Sequence, residues 1–132
     1  MNKKEKLVRE SAVEMERMWE ASRGKIKDRF PNVESIIIKC QFYDDSGNRL
    51  EHKNIFEWKD KERYASFKIK CDYCFDGATC GYDLSSIVSN MVRNKESEIS
   101  GTEVCSGLLR ELGHYHCLRT LKYKINIEYK NY

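Results

Sequence analysis

The 132-residue chain reads as a single α+β domain. Three observations predict this. Residues 3–30 repeat apolar side chains at helical spacing, the stretches 34–43 and 121–130 alternate apolar and polar residues with a period of two, and Cys71-Asp72-Tyr73-Cys74 closes a further alternating run between them. The expected architecture is a long N-terminal helix, an antiparallel sheet of about four strands, one short helix and a zinc-knuckle-type metal site. The N-terminal helix occupies residues 1–30, and the sheet with its cysteine-rich, metal-binding region 71–117 occupies residues 31–132.

The helix is predicted from Val8, Ala12, Met15, Trp19, Ser22, Ile26 and Phe30, which recur three and four residues apart and share a face. Pro31 ends it, because the residue before a proline is pushed out of the helical region, and Gly24 is a place for an earlier break. Such a stripe docks on the protein's own sheet or pairs with a second copy, so a homodimer through this helix is one expected partner arrangement.

From Glu34 to Tyr43 the period becomes two, with Ile36, Ile38, Cys40 and Phe42 on one side. Asp44 to Asn48 supplies turn formers around Gly47, and Leu50–Trp58 is predicted to return as a second strand. Lys59 to Arg63 is a solvated turn, after which Tyr64–Lys70 is predicted as a third strand ending at Cys71. Leu84, Ile87, Val88, Met91 and Val92 fit one face of a short helix capped by Asp83 or Ser85 and reaching Lys95. Asn94–Thr102 is polar and predicted as loop, and Cys105-Ser106-Gly107 as a tight turn. The last strand alternates most strictly, Leu121, Tyr123, Ile125, Ile127 and Tyr129 against Lys122, Lys124, Asn126, Glu128 and Lys130, and suits an antiparallel neighbour.

Apolar residues at 40% and fifteen aromatic rings (eight Tyr, five Phe, two Trp) exclude a disordered chain. Residues 1–30 carry nine Lys or Arg against six acids, 31–105 ten against thirteen, and 106–132 five against two, so both ends are basic. A pI near 8.5 lies below the value above about 9 common for nucleic-acid-binding domains, and permits a polyanion without requiring one. No apolar run reaches signal-peptide length or the roughly 20 residues that span a bilayer, which predicts a cytoplasmic protein with no membrane partner. In a reducing compartment six cysteines point to metal or catalysis and away from disulfides.

Cys71 and Cys74 have the two-residue separation of a zinc knuckle, in which turn amides point at thiolate sulfurs. Cys105 and Cys117 complete four thiolates, tying distant segments around one structural zinc per chain; Cys80, His114 and His116 are the alternate ligands. An iron-sulfur cluster would use the same four thiolates. Cys40, in phase with Ile36, Ile38 and Phe42, is predicted as a small core residue, and His52 as a surface one. A thioredoxin-type redox pair needs its first thiol at a helix N-terminus, whereas the helix here is predicted to begin near Asp83. No phosphate-binding glycine loop, H-E-x-x-H or G-x-S-x-G is present, so no catalytic residues are assigned.

The resulting expectation is a non-catalytic interaction or scaffolding module holding structural zinc, with an unidentified protein partner. The alternative is nucleic-acid binding through Arg110, Arg119, Lys122, Lys124 and Lys130, with Tyr123 and Tyr129 as stacking groups or, by their phase, core. The third is a thiol redox or iron-sulfur protein.

Overall fold

The computed structural model describes residues 14–15, 17–44, 46–50, 55–71, 81–105, 108–109, 115–116 and 119–130. Among them the architecture is mixed α+β with an antiparallel sheet and few helices. The centre is β1 (Val33–Tyr43) laid antiparallel against β9 (Thr120–Tyr129), the two strands of most regular alternation and greatest separation along the chain. Ile36 faces Ile127, Ile38 faces Ile125, Cys40 faces Tyr123 and Phe42 faces Leu121, and all eight side chains are buried. A slip of one residue would move the whole set to solvent, so this pattern fixes the register.

β2 (Arg49–Leu50) and β3 (Ile55–Trp58) follow one another along the outer edge of β1, while β6 (Glu98–Val104) pairs with β9. The sheet thus has five strands and is four wide. The return strand predicted over 50–58 is realised as the two pieces β2 and β3; residues 51–54 lie outside the described set.

The strand predicted over 64–70 does not join this sheet. β4 (Lys68–Ile69) pairs with β5 (Tyr82–Asp83), and Tyr64 makes a separate bridge to Lys25. Burial explains the departure: Phe67 packs edge-on against Trp58, ring centroids 5.1 Å apart, and lies 6.3 Å from the Phe30 ring. The segment therefore lies over the sheet's apolar face rather than extending its edge.

The helix predicted over residues 3–30 is interrupted at Gly24, the place the sequence offers for an earlier break, and residues 1–13 lie outside the described set. Residues 14–15 and 17–22 are helical, the chain turns at Gly24 (φ 76°), and a separate short helix, α1 (Ile26–Arg29), follows before Pro31. Val8 and Ala12 lie outside the described residues. The break divides the stripe: Ile26 and Phe30 enter the core, whereas Met15 and Trp19 are 64% and 58% exposed. Arg23 at the break reaches Asp83 at 2.9 Å.

α2 (Ser85–Arg93) turns Val88 and Met91 inward as its spacing requires, with Leu84 buried just before it. It ends in a Schellman motif. Lys95 (φ 54°) donates its amide to Val92 at 3.2 Å, and Glu96 donates to Met91 at 2.8 Å. The Tyr129 phenol donates to the Glu96 carbonyl at 2.6 Å, fastening β9 to the helix end.

The polar stretch 94–102, predicted as loop, contributes most of β6, whose register with β9 is unbroken. β7 (Leu108–Leu109) and β8 (Tyr115–His116) pair antiparallel, so the backbone of His116 lies in a strand. Among the described residues, the face of the sheet away from the core is largely exposed. It carries Lys39, Gln41 and Tyr43 from β1, Lys122 and Lys124 from β9, and Glu98, Ser100, Thr102 and Val104 from β6. No helix among the described residues is long and apolar enough to cross a membrane.

Candidate metal centre

Four stretches of chain converge where the small β4–β5 ladder meets the end of the main sheet. Cys71 directly follows β4 and its adjoining residue Lys70, and Cys105 directly follows β6; both are buried. The amide of Gly81 donates to the Cys105 sulfur at 3.2 Å, in a buried setting. Gly81 itself lies against the other cysteine, since a Cβ built on it would stand 3.4 Å from the Cys71 nitrogen and 2.5 Å from the Ile69 carbonyl oxygen. With φ at 116°, this position admits only glycine without strain. Finally, the Cys105 amide donates to the Arg119 carbonyl at 2.9 Å, which brings the start of β9 to the same place.

Four of the five cysteines considered as ligands are at this junction or within two residues of it in sequence, and Cys74 is three residues from Cys71. Cys71 and Cys105 belong to it, Cys80 precedes Gly81, and Cys117 lies two residues before Arg119. Cys74, Cys80, His114 and Cys117 themselves lie outside the described residues, as do His52 and Arg110, and among the described residues no cluster of three or more ligating side chains is found. An amide aimed at a cysteine sulfur stabilises negative charge there, which is what a metal-bound thiolate needs. Cys71 and Cys105, the two described cysteines here, are soft donors of the kind a thiophilic ion takes.

Cys40 is chemically different. It stands in the middle of β1 opposite Tyr123, and burial pushes its thiol up to about 12. It is a core residue, as its phase in the sequence predicts.

The basic residues do not form one patch. Lys122 and Lys124 share the open face with Lys39, which faces Lys124 directly across the strands. Lys124 pairs with Glu98 at 2.9 Å, and Lys122 stands over the Tyr43 ring, 5.0 Å from its centroid. Arg119 precedes β9 and Lys130 follows it, placing them about 35 Å apart along the strand. Lys130 lies beside Lys61, and hydrogen bonding between the two amino groups, with the repulsion of their charges, lowers the Lys130 pKa. Tyr123 is buried against the core, and Tyr129 spends its hydroxyl on the α2 end, so neither stacking group faces the open side.

The carboxylates with a clear pKa shift, Asp44 and Glu62, are shifted downward, Asp44 by the Asn48 amide of its own turn and Glu62 by its bonds to Lys27 and Lys25. An open depression lined by Glu34, Glu128, Tyr129 and Lys130 contains acids already engaged, Glu34 by Lys61 at 3.3 Å and Glu128 by Ser35 at 3.2 Å. Sequence reasoning passed over Gly81 as a functional position; the Cys80-Gly81 pair was its signal.

No protein-family model, curated protein or solved structure matches this chain.

Proposed function

We propose that this protein is a small zinc-bearing interaction module, non-catalytic, in which one structural zinc ion per chain fastens the end of β4 to the ends of β6 and the start of β9. Cys71, Cys74, Cys105 and Cys117 are the ligands, with Cys80, His114 or His116 as replacements for one of them. The observation that carries this reading is the buried Gly81 amide directed at the Cys105 sulfur, at a junction that Cys71 shares. When bound, the ion supplies a crosslink between chain segments that β4 and β5, two residues each, hold only weakly. The chain's own residues do the rest: Gly81 approaches closely enough to donate, and the Cys105–Arg119 bond sets the spacing of the last two segments.

Elemental analysis of the purified protein tests this. Zinc near one per chain, lost in Cys71→Ser, Cys74→Ser and Cys105→Ser but retained in Cys40→Ser, supports it. Iron redirects it to a cluster protein. Absence of metal, with unchanged melting in the three variants, defeats it. A redox pair would instead expose, in the metal-free protein, one accessible thiol of depressed pKa.

A second reading is favoured by the Lys39, Lys122 and Lys124 group beside Tyr43 on the open face, whose chemistry suits a polyanion. Weak binding or none is expected. Submicromolar, salt-dependent affinity for single-stranded nucleic acid, lost in Lys122→Glu with Lys124→Glu, would promote this reading over the first. Met15, Met18 and Trp19, all more than half exposed on the N-terminal helical segment, supply an apolar surface for a protein partner or a second copy.

A further inference from the structure

We infer that β6 is a homodimerisation edge, pairing antiparallel with β6 of a second copy to make one sheet continuous across two molecules. The hydrogen bonds of β6 leave one side of it unused. Cys105 donates to Arg119, and the Ile127 amide donates to the Ser97 carbonyl, which fixes the ladder: Ser97, Ile99, Gly101, Glu103 and Cys105 turn their backbone groups toward β9. The amides and carbonyls of Glu98, Ser100, Thr102 and Val104 therefore point outward. All four residues are exposed, and among the described residues no bond to their outward backbone groups is present.

Three of the usual protections of an edge, a bulge, a proline and a lysine, are missing here. β6 is seven residues long, its register with β9 has no bulge, and Glu-Ile-Ser-Gly-Thr-Glu-Val contains neither proline nor lysine. The opposite edge is defended. There β2 and β3 are two and four residues long, and the Arg63 guanidinium takes the outward Glu57 carbonyl at 3.2 Å.

The strand is complementary to itself. With Gly101 facing Gly101 of the partner subunit, Ser100 lies opposite Thr102 of the partner subunit and Glu98 opposite Val104 of the partner subunit. Every outward residue of both copies is then paired. Sliding the strands two residues one way leaves Val104 of each copy beyond the partner strand, and the other way leaves Glu98. In this register no acid meets its own copy, whereas parallel pairing in register would set Glu98 against Glu98 of the partner subunit. The glycine stands at a closely spaced, non-hydrogen-bonded position on the axis and adds no side chain of its own there, the space over it being filled by the Tyr123 phenol. These charge and register relations commit the edge to a second copy rather than to an unrelated strand. The inference does not depend on the metal.

Light scattering and sedimentation of the full chain, from micromolar to near-millimolar concentration, test it. The wild type should move toward twice its monomer mass. S100E with T102E should weaken dimerisation at least tenfold without loss of melting temperature, because the introduced carboxylates lie beside Lys124 and Lys122 in their own copy but face each other across the axis. Mixing that variant with S100K/T102K should restore a dimer of the two. A wild type that stays monomeric throughout overturns the proposal. So does an S100E/T102E variant that dimerises like wild type, or a dimer abolished by M15E/W19E and indifferent to the edge variants.

Discussion

The phenol of Tyr123 occupies the space over Gly101 where a side chain would stand: a Cβ built there would lie 2.6 Å from Cζ and overlap the hydroxyl. The two residues are opposite one another on β6 and β9, so the edge strand yields its core-facing position to a ring rooted on its neighbour. Burial, with the Glu103 carboxylate nearby, raises the pKa of this phenol.

Gly101→Ala should therefore destabilise the fold by about 1–3 kcal/mol, the range for overpacking a fitted site. Tyr123→Leu in the same chain should recover part of that loss, since the smaller side chain vacates the volume. A double-mutant cycle from urea unfolding checks it: additive losses would mean that the ring and the glycine are not coupled.

Ser85 is one of two buried polar residues among those described, and its hydroxyl accepts the Phe67 amide at 2.9 Å. That bond attaches the segment before β4 to the first turn of α2. Ser85→Ala leaves the Phe67 amide buried without an acceptor, and a loss of about 1–3 kcal/mol is expected. Amide exchange at Phe67 should accelerate with it; a variant as stable and as protected as wild type would show that the amide finds another partner.

Lys95 holds the left-handed position of the α2 Schellman motif, where a side chain strains the backbone and glycine does not. Lys95→Gly is expected to stabilise by about 0.5–1 kcal/mol, and Lys95→Val to destabilise. Urea midpoints of the two variants on either side of wild type confirm the assignment, and midpoints in the reverse order refute it.

The central pair of strands could be read from sequence because their alternation is set by burial: Ile36, Ile38 and Phe42 against Leu121, Ile125 and Ile127 leave one register available. α2 could be read for the same reason at helical period. β6 could not, because the residue that should mark its core face is Gly101, and the apolar mass above it comes from Tyr123, twenty-two positions away. The strand expected over 64–70 was misplaced because alternation reports burial, not which sheet provides it, and Phe67 buries against Trp58 and Phe30. For the candidate metal centre, the thiol spacing points to Cys71 and Cys74, with Cys105 and Cys117 added only as thiols able to tie distant segments; the approach of Cys71 and Cys105 to Gly81 depends on two ladders, β4–β5 and β6–β9, that no local pattern announces.

Cys40 gives a pH signature that separates it from the cysteines of the proposed centre. Its thiol is raised from 9.0 to about 12 by burial alone, so between those values the unfolded chain releases this proton while the folded chain keeps it. Stability from this group is complete below pH 9 and is lost as pH rises toward about 12, since the state binding fewer protons gains with each unit. Tyr123 and Tyr129, also raised by burial, add to the same alkaline decline, so the useful quantity is a difference between two proteins. Cys40→Val keeps an apolar side chain of similar size opposite Tyr123 and removes the titrating group. Unfolding free energies measured by urea from about pH 8 to pH 11 should fall less steeply for Cys40→Val than for wild type. Parallel curves would mean that Cys40 ionises in the folded protein as readily as in the unfolded chain, and that water reaches the centre of β1.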